Sequence, residues 1–231
     1  YTEFAHRSDI GDIDGDGDID IVHTSVTWNG GDRGNGYVIC MFNDGTGRLT
    51  SKTCGDQWGN QVKIGDFNGD GNADLLVGGS QYECAKAHGW VRKSNASKKR
   101  NAMRVVFGNG SGKFYNRQGR KLETLGNHQM ANGEKIPVCT MPTALVMDVD
   151  NDGDLDIVGN TVGLVYVGGY FQVFLNDGVG NFSLGQQIVN TQPNVHYGLN
   201  NWPKHEGQHG STGYCFNMHS IDLNNDGYMD F

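Results

Sequence analysis

The sequence predicts an all-β protein made of repeated four-stranded antiparallel units arranged around an axis. Glycine is frequent (36 of 231 residues) and proline is scarce (4 residues). No segment shows sustained helical periodicity, which favours short strands joined by tight turns. A nine-residue acidic pattern occurs four times, with starts that are 54, 82 and 74 residues apart. Such spacing indicates a radial repeat architecture in which one supersecondary unit recurs.

The acidic pattern has the form D-x-[DN]-x-D-G-x-x-D and defines loop 1 (residues 12–20), loop 2 (66–74), loop 3 (148–156) and loop 4 (222–230). Side chains at positions 1, 3, 5 and 9, with the backbone carbonyl of position 7, supply the oxygen atoms that a hard cation requires. Glycine at position 6 permits a sharp reversal of the backbone. We expect the cation to be calcium, because six to eight oxygen ligands in flexible geometry favour it over magnesium.

Two other interpretations of the acidic pattern are weaker. A single copy could be an ordinary Asp-Gly turn, but four copies have Asp or Asn at every side-chain ligand position. The EF-hand begins in a similar way but requires a glutamate at position 12, where the first three copies have His23, Val77 and Gly159. Apolar residues such as Ile21-Val22 follow the loops, so we predict that the loops join strands.

A second pattern follows each of the first three loops, at residues 38–49, 105–114 and 171–182. Each copy is a strand-like run, an Asn/Asp-Gly turn and the start of another strand-like run, which is typical of a β-hairpin. The predicted unit is therefore strand, acidic loop, strand, connection, strand, hairpin turn, strand.

These repeats resemble the FG-GAP or VCBS repeat, found in integrin alpha-subunit propellers and in sugar-binding propellers of fungi and bacteria. The resemblance covers residues 9–77, 103–114, 144–183 and 216–231. It implies a β-propeller of four-stranded antiparallel blades, usually seven, with calcium in the loop between the first two strands of a blade. The implied calcium ligands are Asp12, Asp14, Asp16, Asp18 and Asp20; Asp66, Asn68, Asp70, Asn72 and Asp74; Asp148, Asp150, Asp152, Asp154 and Asp156; and Asp222, Asn224, Asp226, Tyr228 and Asp230.

We predict one propeller domain over residues 1–231, with repeats that start near residues 9, 63, 145 and 219. Insertions are expected at residues 28–36, 80–104, 115–138 and 190–214. About three and a half repeats cannot close a ring of about four to eight blades, and an open array would expose sheet edges. We therefore expect the chain to be part of a longer protein; alternatively, several copies complete one ring.

The formal net charge of −8 is concentrated in the acidic loops, which hold 16 of the 26 acidic residues. Four bound divalent cations would offset it, so the acidity is interpreted as metal-site charge and gives nucleic-acid binding no support. No run of about 18 apolar residues is present, so membrane insertion is not expected.

The five cysteines lack C-x-x-C spacing, which argues against a zinc site. We expect Cys40 to pair with Cys54 and Cys84 with Cys139, leaving Cys215 either free or paired outside this sequence. Glycosylation sequons occur at Asn95, Asn109 and Asn181. With the calcium-type loops, these features favour an oxidising, extracellular setting.

Three insertions are candidate recognition loops, because loops on a rigid scaffold often carry binding residues. Residues 196–209 combine aromatic, amide and imidazole groups, the mixture that stacks on sugars and hydrogen-bonds their hydroxyls. Residues 86–104 are basic and could bind acidic glycans or phosphate, and the 28–36 segment is polar and glycine-rich. For each segment, a plain surface loop is the alternative. The candidate binding residues are Trp28, Trp90, His196, Tyr197, Trp202, His205 and His209.

Zinc binding by His205 and His209, spaced as on a helix, is an alternative that Gly207 and Gly210 disfavour. The leading functional hypothesis is a calcium-stabilised extracellular module that binds carbohydrate or a protein surface. The second is a structural component of a filament, matrix or adhesion complex, with copies of itself or the rest of a longer chain as partners. The third is a lyase or hydrolase on the same scaffold, although no catalytic motif is present and no catalytic residue is assigned.

Overall fold

The computed structural model describes residues 3–27, 37–56, 61–78, 103–115, 119–122, 127–129, 135–163, 169–189 and 218–230. These residues form thirteen β-strands and no helix, so the all-β prediction is confirmed. It follows that this part of the chain contains no helix long and apolar enough to cross a membrane.

The strands form three antiparallel sheets, each in the order of the chain. The first sheet contains β1 (Glu3–Gly11), β2 (Asp20–Thr27), β3 (Val38–Asn43) and β4 (Leu49–Gly55). The second contains β5 (Gln61–Gly65), β6 (Asp74–Gly78), β7 (Arg104–Val106) and β8 (Gly119–Lys121). The third contains β9 (Asn127–Gln129), β10 (Lys135–Met147), β11 (Asp156–Gly163), β12 (Gly169–Asn176) and β13 (Phe182–Val189). We call these sheets blades 1 to 3; they are consistent with consecutive blades of a propeller and do not by themselves close a ring.

Each of the first three acidic loops joins two paired antiparallel strands, and the register beside the loop is the same in all three pairs: β1 with β2, β5 with β6, and β10 with β11. Ile10 pairs with Ile21 beside loop 1, Ile64 with Leu75 beside loop 2, and Val146 with Ile157 beside loop 3. In the fourth repeat, Ile221 and Asp230 form an antiparallel bridge across loop 4. The predicted position of the loop within the repeat is thus confirmed.

The blades pack face to face, and blade 2 is buried on both sides. Successive residues of a strand point to opposite faces of its sheet. In β6, Leu75 and Val77 pack in a core shared with blade 1, whereas Leu76 packs in a core shared with blade 3. A third core lies on the far side of blade 3, where Met218 of the fourth repeat packs against it.

The second hairpin pattern differs from its prediction at Phe114, where a new strand was expected to start. The Phe114 amide instead donates a hydrogen bond of 2.6 Å to the carbonyl of Cys54, and the residue bridges to Gly55 of blade 1. Phe114 is completely buried in the core between blades 1 and 2, which explains why it leaves its own sheet. The last strand of blade 2 starts later, at Gly119, so the segment 115–138 contains β8, β9 and the first residues of β10.

The predicted disulfide between Cys40 and Cys54 is confirmed. It joins β3 to β4 across a Cα–Cα distance of 5.8 Å, and both cysteines lie in the core between blades 1 and 2. Cys84 and Cys215 lie outside the described residues, as does the side chain of Cys139, so the second pairing stays a prediction.

Candidate metal sites

Two residues of every acidic loop occupy the left-handed backbone region, at positions 4 and 6. Position 6 is glycine in all four loops, as the sequence predicts, with φ between 83° and 97° at Gly17, Gly71, Gly153 and Gly227. Position 4 also has positive φ, and sequence analysis missed it although every copy has Gly or Asn there. These are the residue types that adopt this conformation with least strain.

The aspartate at position 1 holds the reversed backbone together. In loop 1, Asp12 accepts hydrogen bonds from the amides of Gly15 (2.7 Å) and Gly17 (3.0 Å). The position-6 glycine amide bonds the position-1 carboxylate in the other loops too, from Gly71 to Asp66 (2.8 Å), Gly153 to Asp148 (2.9 Å) and Gly227 to Asp222 (2.9 Å). The loop backbone is therefore organised around its first carboxylate.

The aspartate at position 9 connects the loop to a residue at or just after the end of β3, β7 or β12, the strand that pairs with the one following the loop. Asp74 is completely buried and accepts hydrogen bonds from the amides of Phe67 (2.9 Å) and Gly108 (2.8 Å). Burial raises the pKa of Asp74 to about 6, although both hydrogen bonds lower it. The same two contacts are made by Asp20 with Ile13 and Asn43, and by Asp156 with Val149 and Asn176.

Carboxylates converge in loops 1 and 3. Ligand atoms of Asp12, Asp14 and Asp20 all lie within 4.8 Å of one another, as do those of Asp148, Asp150 and Asp156. Two oxygens that each lie about 2.4 Å from one calcium ion can be at most about 4.8 Å apart. The predicted ligand positions 1, 3 and 9 thus come together in a geometry that could hold a metal ion.

Loop 1 also has a buried carboxylate oxygen that has no hydrogen-bond partner in the described part of the chain. Among the described residues, no group donates a hydrogen bond to Oδ1 of Asp14. Burial is the main cause that raises the pKa of Asp14, and the neighbouring charges of Asp16, Asp20 and Asp12 add to it. A cation at this point would satisfy the oxygen and relieve the repulsion.

Loop 2 has more internal hydrogen bonding because amides replace two of the carboxylates. Asn68 and Asn72 donate side-chain hydrogen bonds of 3.1 and 2.9 Å to Asp70. The backbone amide of Asn72 donates another, of 2.8 Å, and these bonds lower the pKa of Asp70. In loop 3, by contrast, burial and the charges of Asp152, Asp148, Asp177 and Asp150 raise the pKa of Asp154. The repulsion between carboxylates is therefore relieved less by internal hydrogen bonds in loops 1 and 3 than in loop 2.

The hairpin turn of each blade lies directly over position 7 of its acidic loop. A Cβ atom on Gly45 would lie 2.8 Å from a carboxylate oxygen of Asp18, and one on Gly178 would lie 2.5 Å from Asp154. The same holds for Gly110 and Asn72, at 2.7 Å. Glycine in the hairpin signature is favoured by its positive φ, and a larger residue there would also displace the side chain at position 7.

The candidate recognition residues Trp28, Trp90, His196, Tyr197, Trp202, His205 and His209 lie outside the described residues, as does the sequon residue Asn95. The other two sequon residues, Asn109 and Asn181, are exposed in hairpin turns. Ser111 donates hydrogen bonds to Asn109, and Asn181 donates one of 2.8 Å to Asp177. Both sequons are thus on the surface, beside the acidic loops.

Comparison with known families gives a match within the first two repeats. Residues 12–77 match the family model of the FG-GAP-like repeat. The segment starts at the first ligand of loop 1 and ends in β6, so it contains two acidic loops and the strands between them. A comparison with curated proteins found no match. Residues 12–77 are therefore similar to the FG-GAP-like repeat, and the two acidic loops and antiparallel strands of this segment agree with that similarity.

Proposed function

We propose that the acidic loops bind calcium and that the bound ions hold together the blades of an extracellular binding module. The observation that carries the proposal is the unpartnered, buried Oδ1 atom of Asp14, beside the converging carboxylates of Asp12 and Asp20. The recurrence of the loop structure and the frequent binding of calcium by FG-GAP repeats support it further.

Calcium suits these loops better than magnesium or zinc. All the candidate donors are oxygen atoms, which hard cations prefer. Magnesium requires a rigid octahedron at about 2.0–2.1 Å and keeps several waters, whereas calcium accepts varied geometry at 2.3–2.6 Å. Each loop offers carboxylates and one backbone carbonyl, and loops 2 and 4 add Asn amides. Such varied oxygen donors suit the flexible coordination of calcium.

Bound calcium would act mainly on stability. Position 9 connects each of the first three loops to a residue at or just after the end of β3, β7 or β12. Closing a loop around an ion would therefore also fix the end of that strand. At a free concentration 100-fold above the dissociation constant, each ion adds about 2.7 kcal/mol to the free energy of unfolding. Removing calcium should therefore loosen the blades.

Calorimetric titration with Ca²⁺ tests this proposal, with Mg²⁺ as the comparison. Asp14→Asn removes one charge from loop 1 and should weaken calcium binding at that loop about tenfold, equivalent to about 1.4 kcal/mol. The matched control is Asp44→Asn, which changes the same charge in an exposed hairpin turn of the same blade. A protein that takes up no calcium at millimolar concentration, or equal effects of both variants, would contradict the proposal.

The extracellular setting is supported by the Cys40–Cys54 disulfide, because such bonds persist in oxidising compartments. Carbohydrate or a protein surface is the proposed ligand class, from the aromatic and imidazole residues of the 196–209 segment. A glycan array probed at millimolar calcium, with Trp202→Ala as the binding variant, tests the sugar version. Absence of binding to every glycan would leave the protein-surface version.

The outer face of blade 1 favours a second candidate, a role in assembly. Ile10 is 65% exposed there, whereas Ile64, at the equivalent position of blade 2, packs against the core shared with blade 1. The face is therefore suited to packing against another repeat of this type. Light scattering of the chain and of Ile10→Lys tests the idea: self-association that the variant abolishes would support it, and a monomer at all concentrations would refute association between copies.

A further inference from the structure

Asn176 lies between the acidic loops of blades 2 and 3 and hydrogen-bonds to both. It is the last residue of β12, and only 7% of its surface is exposed. Its side-chain nitrogen donates hydrogen bonds to the carbonyl of Phe67 in loop 2 (2.8 Å) and to that of Leu155 in loop 3 (3.1 Å). Its side-chain oxygen accepts hydrogen bonds from the amides of Asp177 and Gly180 in the hairpin turn. The side chain thus joins two loops and one turn.

These contacts complete a hydrogen-bonded chain between two candidate metal ligands. Asp74, at position 9 of loop 2, accepts a bond of 2.9 Å from the amide of Phe67, whose carbonyl accepts from Asn176. The amide of Asn176 donates a bond of 2.8 Å to Asp156, at position 9 of loop 3. Phe67 is itself completely buried. A displacement of Asp74 can therefore reach the carboxylate of Asp156 through two residues, Phe67 and Asn176.

The equivalent residues of the other blades lack this connection. Asn43 in blade 1 makes the corresponding bonds within its own blade, to Asp20 (2.8 Å) and Ile19 (3.3 Å). Within the described part of the chain, no bond from Asn43 reaches a second acidic loop. Blade 2 has Gly108 at this position, where a Cβ atom would collide with the carbonyl of Ala73. The described blades therefore contain one such connection, between loops 2 and 3.

We propose that Asn176 is a positioning residue that couples cation binding in loop 2 to cation binding in loop 3. This inference rests on the proposed function, since it requires that both loops bind an ion. Asp66, Asp70 and Asp74 would hold the ion in loop 2, and Asp74, held in this way, would keep Phe67 where its carbonyl accepts from Asn176. Asn176 then holds its own amide against Asp156, so loop 3 is organised before its ion arrives. Coupling of this kind is reciprocal.

The test measures each loop separately by two-dimensional NMR during a calcium titration. The amides of Gly71 and Gly153 donate to position 1 of loops 2 and 3, so their resonances report on the two sites. Asp66→Ala disables loop 2. In otherwise unchanged protein it should weaken calcium binding at Gly153 about fivefold or more, within the usual range of coupling. The reciprocal variant, Asp148→Ala, should weaken binding at Gly71 by the same factor.

Asn176→Ala should reduce the coupling factor, by which disabling one loop weakens calcium binding at the other, to about one. The hydrogen-bonded connection is lost in this variant, while the metal ligands remain. Asn43→Ala is the matched control, because within the described residues Asn43 bonds no second acidic loop, and it should leave this factor unchanged. Asn176→Ser provides a second variant if the alanine variant does not fold in calcium. If the serine variant does not fold either, calcium binding at Gly153 that is unaffected by Asp66→Ala overturns the proposal.

The outcomes separate this inference from the function on which it rests. No calcium binding at either glycine would refute the proposed function. Binding at both glycines, with loop 3 unaffected by Asp66→Ala, would refute the coupling and leave the function in place. The assignment to Asn176 would be refuted if the coupling factor persisted in Asn176→Ala or Asn176→Ser. It would also be refuted if the coupling factor disappeared equally in Asn43→Ala.

Discussion

Replacing Leu75 or Leu76 with alanine tests whether blade 2 is buried on both faces. Both side chains are 0% exposed, but Leu75 lies in the core shared with blade 1 and Leu76 in the core shared with blade 3. Each change removes three carbon atoms, whose transfer from water contributes about 2.4 kcal/mol at about 0.8 kcal/mol per CH₂. The cavity that remains adds to this value, so we expect each variant to lose about 3–4 kcal/mol.

Urea unfolding in saturating calcium measures both losses, from the shift of the midpoint at constant slope. Leu184→Ala in β13 is the control, since Leu184 is 42% exposed and should lose much less. The decisive comparison is between the two buried leucines, which are neighbours in sequence. If Leu75→Ala lost no more than the control while Leu76→Ala lost the full amount, blade 1 would not pack on blade 2.

Three other perturbations test local features of the structure. Without divalent cations, lowering the pH from 7 to 5 should raise the melting temperature: the pKa of Asp74 is raised from 3.8 to about 6, so the folded state binds the proton more tightly than the unfolded chain. A melting temperature that falls over this range in EDTA would contradict that account. Replacing both Cys40 and Cys54 with alanine should lower the free energy of unfolding by about 3 kcal/mol, because their bond closes a loop of about 15 residues. An unchanged urea midpoint would show that the disulfide does not constrain the unfolded chain. Gly180→Ala should destabilise more than Gly47→Ala in the same assay: both residues have positive φ (79° and 86°), but only at Gly180 would a Cβ atom meet the ring of Phe107. Equal losses would mean that the ring moves aside at little cost.

The sequence predicted those features that depend on residues close together in the chain. The acidic loops, the hairpin turns and the order of strands within a blade each follow from a short pattern of glycine, aspartate and apolar residues. The short loop between Cys40 and Cys54 belongs to the same class, because strand pairing across one hairpin brings the two residues together.

Features that join different blades were not predictable in this way. The hydrogen bond from Asn176 to Phe67 spans 109 positions, and nothing in either local pattern distinguishes Asn176 from Asn43. The departure of Phe114 from its own sheet has the same origin, since it depends on the core formed with blade 1. The aspartate at position 9 is both a candidate ligand and an acceptor from the residue at or just after the end of β3, β7 or β12. The second role depends on strand packing and is not visible in the local sequence pattern.

The position of Phe114 has a consequence for how the chain matures. Cys40 and Cys54 are at most 1% exposed in the folded protein, and Phe114 of the next blade packs in the same core and bonds the Cys54 carbonyl. About 60 residues separate Cys54 from Phe114, which a ribosome adds in roughly 3–12 s at about 5–20 residues per second. Until those residues have been added, Phe114 cannot cover the two cysteines. Once blade 2 docks, the shared core shields the bond from oxidants and reductants, so we expect the bond to form before docking.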